Sequence, residues 1–135
     1  MSNSVLKDKN GNILNPKIPR YEYNLYTNEE PIKTGRKING KNEYVKRVSI
    51  PQLPNNGSLE IGTGLNINEI KVIDLKGLAY RSSDNTYIPL PFISMAGINI
   101  GLNTKVIDNI LNILIETSSD RTSFTGWAEV SFIYN

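Results

Sequence analysis

The side chains of this sequence best suited to chemistry are its seven tyrosines, three phenylalanines and single tryptophan, and the chemistry they suit is recognition. An exposed aromatic ring stacks on the apolar face of a sugar while amides and hydroxyls engage its hydroxyl groups, and the chain is rich in Asn, Ser and Thr. Trp127, Tyr87 and Tyr80 fall near turn-rich segments and, with Asn85, are the candidate ligand-binding residues. Core packing is the alternative at those three aromatics, and it is the expected role of Phe132, Tyr134 and Phe92.

Bond-making chemistry has little to work with. There is no histidine and no cysteine, which removes the commonest general base, the Ser-His-Asp triad, thiolate metal sites and disulfides. Glu29-Glu30 is the only adjacent carboxylate pair; paired carboxylates act as acid and base when burial separates their pKa values, but these precede Pro31 in a polar stretch and read as a solvated loop. The segment Ile61-Gly62-Thr63-Gly64-Leu65 lacks the third glycine and the lysine of a phosphate-cradling loop and reads as a flexible turn. The acidic positions do not have calcium-loop spacing. No catalytic residue, cofactor or metal is expected, and the chain does not read as an enzyme.

Its 135 residues (15.1 kDa, 39% apolar, 21% charged) fit one globular domain that buries roughly two-thirds of its unfolded surface without covalent staples. The net charge of +2 conceals ten Lys/Arg against five Asp/Glu in residues 1–54 and five against eight in 55–135. The basic residues are spaced singly, without the stripe that neutralises several phosphates, so nucleic acid is not expected as a partner. The N-terminus has no apolar signal core and no run approaches 18 apolar residues, so neither a signal peptide nor membrane insertion is expected.

These residues must be positioned by strands. Asn-Gly between β-prone runs is a hairpin signal because type I′ turns need positive φ at both central positions. Asn10-Gly11 predicts an N-terminal hairpin, followed by an extended connector to residue 19 that Pro16 and Pro19 enforce; residues 20–135 form the main domain. Tyr21, Tyr23 and Leu25 alternate with Arg20, Glu22 and Asn24 as another strand or as an extended arm that wants a partner. Asn39-Gly40 joins Ile32–Ile38 to Glu43–Ile50, where Tyr44, Val48 and Ile50 alternate with Val45, Arg47 and Ser49. After a loop at 51–57, residues 67–80 read as one long strand with a bulge near Gly77. A turn at 82–86 leads to an edge or irregular strand over 86–94, limited by Pro89 and Pro91, and then a short strand over 96–102. Residues 104–116 fit either a strand from about Asn109 or a short helix near 104–110. In the last segment Ala128, Val130, Phe132 and Tyr134 alternate with Trp127, Glu129, Ser131 and Ile133. The sum is an all-β, antiparallel, jelly-roll-like sandwich. Strands that read apolar on both faces, 67–78 and 111–115, call for a covering partner.

Two stretches also resemble a known family. Tyr26 to Arg47 (YTNEEPIKTGRKINGKNEYVKR) resembles the Tyr-Ser-Thr-x-Glu … Thr-Gly … Trp-Ile-Asp-Gly-Lys-Pro-Ile-Tyr-Arg-Lys segment near the end of tail-fibre and receptor-binding proteins of phages and prophages of Gram-positive bacteria. Ser118 to Tyr134 (SSDRTSFTGWAEVSFIY) is similar to that family's closing Asp-Arg-Ser-x-Tyr … Tyr-Val-Thr-Leu-x-Tyr-Thr-Lys strand. Lys37 stands where the family often has Trp, Asn42-Glu43 replaces Pro-Ile, and the closing Thr-Lys is missing. The resemblance spans roughly residues 20–135. It implies a homotrimeric head domain at the tail tip of a virion or phage-like particle, made in the bacterial cytoplasm, that recognises the host through a surface polysaccharide or teichoic acid. A structural trimerisation or attachment module without a ligand is the alternative.

Overall fold

The structure, a computed structural model, describes Lys9, Asn10 and residues 30–135; the arms of the Asn10-Gly11 hairpin, the connector and the 21–25 strand lie outside those residues. The described chain forms eight strands and no helix: β1 (Ile32–Ile38), β2 (Lys41–Ile50), β3 (Ser58–Asn66), β4 (Ile70–Arg81), β5 (Thr86–Leu90), β6 (Ile100–Ile107), β7 (Ile110–Thr117) and β8 (Thr125–Tyr134). They pair into two antiparallel sheets, ordered β1-β2-β8-β4-β5 and β3-β7-β6, packed as a sandwich. The pairings β2 with β8 and β3 with β7 nest as in a rolled-up hairpin, while β1-β2, β4-β5 and β6-β7 close locally.

Alternation decides which side chains meet between the sheets. Val48 and Ile50 of β2, Ala79 of β4, Ile88 and Leu90 of β5 and Ala128 of β8 face Ile100 of β6 and Ile113 and Ile115 of β7 in one buried cluster that Leu53 and Phe124 close off. Leu65, Ile70, Leu111, Val130 and Phe132 form a second. Burying each such side chain is worth about 1.5–3 kcal/mol. Phe132 is fully buried and Phe92 packs against the first cluster, but Tyr134 is half exposed rather than core.

The turn at Asn39-Gly40 is as the sequence requires, with φ of 51° and 80° and Ile38 paired to Lys41. Elsewhere the structure departs from the expected elements. The helix alternative at 104–110 is replaced by a second two-residue hairpin: Asp108 and Asn109 both take positive φ, and Ile107 pairs with Ile110. The long strand expected over 67–80 is present as β4 but starts only at Ile70, because the chain turns at Asn66–Glu69, where Glu69 N–H donates to the Asn66 carbonyl (3.0 Å) and Ile67 N–H to the Asn109 carbonyl (2.8 Å). Its bulge lies between Val72 and Asp74, not at Gly77; a Cβ on Gly77 would stand 2.7 Å from the Trp127 carbonyl oxygen, so that glycine serves close packing. Ile61–Leu65 is strand, not a flexible turn, with the buried Thr63 hydroxyl donating to the Leu111 carbonyl (2.7 Å). The strand expected over 96–102 starts only at Ile100, and β5 stops at Leu90, on the sheet edge where Pro89 is tolerated. Leu111, Ile113 and Ile115 spend their apolar surface inside; among the described residues the large exposed non-aromatic apolar side chains are instead Ile93, Met95 and Ile98 in the β5–β6 loop and Val106 and Ile107 beside the β6–β7 turn.

Two glycines separate backbone conformation from steric room. Gly40 has φ +80° with open space where a Cβ would stand, whereas a Cβ on Gly126 would run into the Leu78 carbonyl oxygen. Gly40→Ala is expected to cost about 1 kcal/mol through the left-handed backbone alone, and Gly126→Ala about 3 kcal/mol because the β4–β8 ladder must move. Urea unfolding of both variants checks the ranking; equal losses would contradict it.

Candidate functional site

The face of the five-stranded sheet turned away from the core concentrates the polar side chains. On β8 the outward residues are Trp127, Glu129, Ser131 and Ile133; the register sets Ser49, Arg47 and Val45 of β2 beside the first three and Leu78, Lys76 and Asp74 of β4 on the other flank. Two irregularities aim this row. At the β4 bulge Ile73 is the extra residue, so Asp74, not Ile73, comes opposite Ser131. On β1, Lys33 pairs with Tyr44 but Lys37 with Asn42, and Gly35 at φ 88° takes up the excess. Thr34 and Arg36, on either side of that glycine, both reach Glu43: the Thr34 hydroxyl donates to Oε1 (2.7 Å), and Arg36 donates from Nε to Oε1 (2.9 Å) and from Nη2 to Oε2 (2.6 Å).

Two carboxylates are thereby buried on an outward face. Glu43 is 2% exposed and Glu129 4%, and a buried charge is tolerated only when paired. Arg47 donates from Nε (3.3 Å) and Nη2 (3.1 Å) to Glu129 Oε1, while Lys76 Nζ lies 3.5 Å from Oε2. The Arg36 hydrogen bond, opposed by burial and helped by Thr34, holds the Glu43 carboxyl below the usual carboxylate range. Thr34, Arg36, Glu43, Val45, Asp74, Lys76, Glu129 and Ser131 line a cleft of about 280 Å³. Ser131, only 8% exposed, presents there a buried hydroxyl with no hydrogen-bond partner among the described residues. No group of acidic side chains among those residues converges as metal ligands.

The sequence-derived candidates lie on the same face, towards the β4–β5 turn. Tyr80 and Tyr87 are cross-strand partners with ring centroids 4.7 Å apart. The Tyr80 hydroxyl donates to Asn85 Oδ1 (3.0 Å), and Tyr87 is 62% exposed. Arg81 clamps Asp84 through two hydrogen bonds (3.0 and 2.9 Å), which with Thr86 pulls that carboxyl to about 2 and fixes the turn. The structure thus unites Tyr80, Tyr87 and Asn85. Trp127 shares the face one strand away but is half-buried, with the Arg47 guanidinium 3.8 Å over its ring, so one side of the ring is already occupied.

Sequence reasoning missed the cleft, and the only signal it offers is the isolated carboxylate inside the apolar run Ala128-Glu129-Val130. It also missed a second depression, about 340 Å³, lined by Gly40, Lys41, Asn42, Tyr44, Tyr134 and Asn135. There Lys41 Nζ already donates to the Tyr134 carbonyl (3.3 Å) and Asn135 Nδ2 to the Asn68 carbonyl (2.8 Å), which leaves fewer groups for a ligand. No family model, curated protein or solved structure matches the chain.

Glu129→Ala removes the carboxylate that two cations share, one of them nearly buried, and is expected to destabilise by about 3 kcal/mol. Lys76→Ala, whose side chain is 58% exposed, is expected to cost less than about 1 kcal/mol. Acid titration gives a second readout. Because the native Glu43 pKa is depressed, its contribution is complete above about pH 5 and is lost as pH falls through the native value. The thermal midpoint of Glu43→Gln is therefore expected to fall less steeply below pH 5 than that of the unaltered chain; parallel curves would contradict the assignment.

Proposed function

We propose that this chain is the receptor-binding head domain of a phage or phage-like tail fibre, a homotrimer that binds a bacterial surface carbohydrate on the outer face of its five-stranded sheet. The observation that carries the reading is the Tyr80–Tyr87–Asn85 group: an exposed ring backed by a second ring and held by an amide, next to a cleft rich in hydrogen-bonding groups. The resemblance of residues 26–47 and 118–134 to tail-fibre proteins points the same way. Recognition suits the two buried carboxylates better than hydrolysis, since both are locked to cations and the one at Glu43 is held ionised, which a proton-donating acid must not be.

Trimerisation serves such a site. Stacking contributes little per ring, and tethering three copies multiplies apparent affinity about 10²-fold or more. Ile93 and Met95, exposed in the β5–β6 loop, are apolar surface that another copy would cover.

Light scattering at micromolar concentration is expected to give three times 15.1 kDa; the monomer mass would overturn the trimer. In adsorption to host cells, Tyr87→Ala is expected to reduce binding about tenfold or more with the mass unchanged. A trimer that never adsorbs, with or without Tyr87, would favour the attachment module instead.

A further inference from the structure

On the carbohydrate reading just given, we infer that the polar cleft is a subsite for a neutral, polyhydroxylated sugar ring rather than for a phosphate-bearing polyol chain. The first ground is charge. The lining sets two cations, Arg36 and Lys76, against three carboxylates, Glu43, Asp74 and Glu129, and each cation is committed to a carboxylate: Arg36 to Glu43 and Lys76 to Glu129, which Arg47 also pairs from beside the cleft. A phosphate recruited there would have to displace a carboxylate from its cation while lying beside two others, a like-charge arrangement that specific sites avoid. A ring of hydroxyl groups meets no such conflict. Each hydroxyl both donates and accepts, and the cleft offers fixed acceptors in the carboxylates and donors in the guanidinium and ammonium groups.

The second ground is Ser131. Its hydroxyl is buried, lines the cleft and pairs with nothing among the described residues. Buried polar groups are otherwise almost always satisfied, and a group kept unsatisfied on a ligand-sized cleft is one that the ligand completes. Volume agrees, since about 280 Å³ lies at the lower limit of small-molecule pockets and suits one ring. Along β4, Lys76 and Tyr80 are four residues or about 13 Å apart, so the cleft and the tyrosine pair would hold different rings of one oligosaccharide.

The test titrates the intact chain with two probes, a panel of neutral hexose trisaccharides and polyglycerol phosphate, at about 0.05 and 0.5 M salt, and repeats it with Ser131→Val and the milder Ser131→Ala. The expected result is binding of a neutral trisaccharide, changed less than about twofold by salt and weakened about tenfold by Ser131→Val. Amide resonances of residues 129–131 and 74–76 should shift, and neither variant should lower the thermal midpoint. Preferential, salt-sensitive binding of polyglycerol phosphate would overturn the inference and leave the carbohydrate reading standing. So would neutral-sugar binding that shifts only Tyr80 and Tyr87 and ignores both Ser131 variants. Failure of every saccharide to bind would remove both together.

Discussion

The architecture depends on the register of β8. That strand is hydrogen-bonded to β2 on one side and β4 on the other, so its alternate residues have only two places to go. Ala128, Val130 and Phe132 go between the sheets; Trp127, Glu129 and Ser131 go outward, flanked by two other strands. A slip of one residue would turn Glu129 into the core and Val130 into the cleft. The contacts of Glu129 with Arg47 and Lys76 tie β8 to both neighbours and exist in only one register. Such a pair contributes little net stability against an apolar replacement; its effect here is to make the wrong pairing expensive.

The same constraint explains why the outward face holds a cleft. A regular β4 would set Ile73 opposite Ser131, and a regular β1 would set Thr34 opposite Glu43 but Arg36 opposite Lys41. One extra residue in β4 changes the parity on that flank and puts Asp74 in place of Ile73, while on β1 two extra residues around the left-handed Gly35 keep the parity but crowd Thr34 and Arg36 onto the single residue Glu43. The bulges thus override locally what alternation alone would dictate, and the rigid β2–β8 pair between them fixes the spacing across the cleft.

What the sequence made legible follows from this. Asn39-Gly40, the alternation of β8 and the turn at 82–86 are local: each depends on residues within about ten positions, where turn chemistry and a period of two suffice. Residues 104–116 were ambiguous because Ile107, Ile110, Leu111 and Leu114 satisfy a helical spacing as well as a strand's, and only the unusual Asp108-Asn109 pair, both left-handed, marks the turn. The cleft was illegible for a different reason. Glu43 and Glu129 come from distant segments joined by the β2–β8 register, and the strand irregularities that bring Asp74 and Arg36 beside them leave no periodic trace. Ion pairs across strands are consequences of pairing, not of pattern.

The edges of the five-stranded sheet bear on how copies of the chain would meet. An open edge invites strand addition, and both edges here are blunted: β5 carries Pro89, which cannot donate to a ladder, and β1 is broken by its bulge and flanked by Lys33 and Lys37. Continuing the five-stranded sheet from copy to copy is therefore disfavoured, which favours side-chain packing on that side of the molecule. The exposed Ile93, Met95 and Ile98 lie in the β5–β6 loop, outside the strands. None of these side chains lines the cleft, so contact between copies there and ligand binding in the cleft need not compete. Three copies could then present three sites at once, and weak stacking on single rings becomes useful only under that condition.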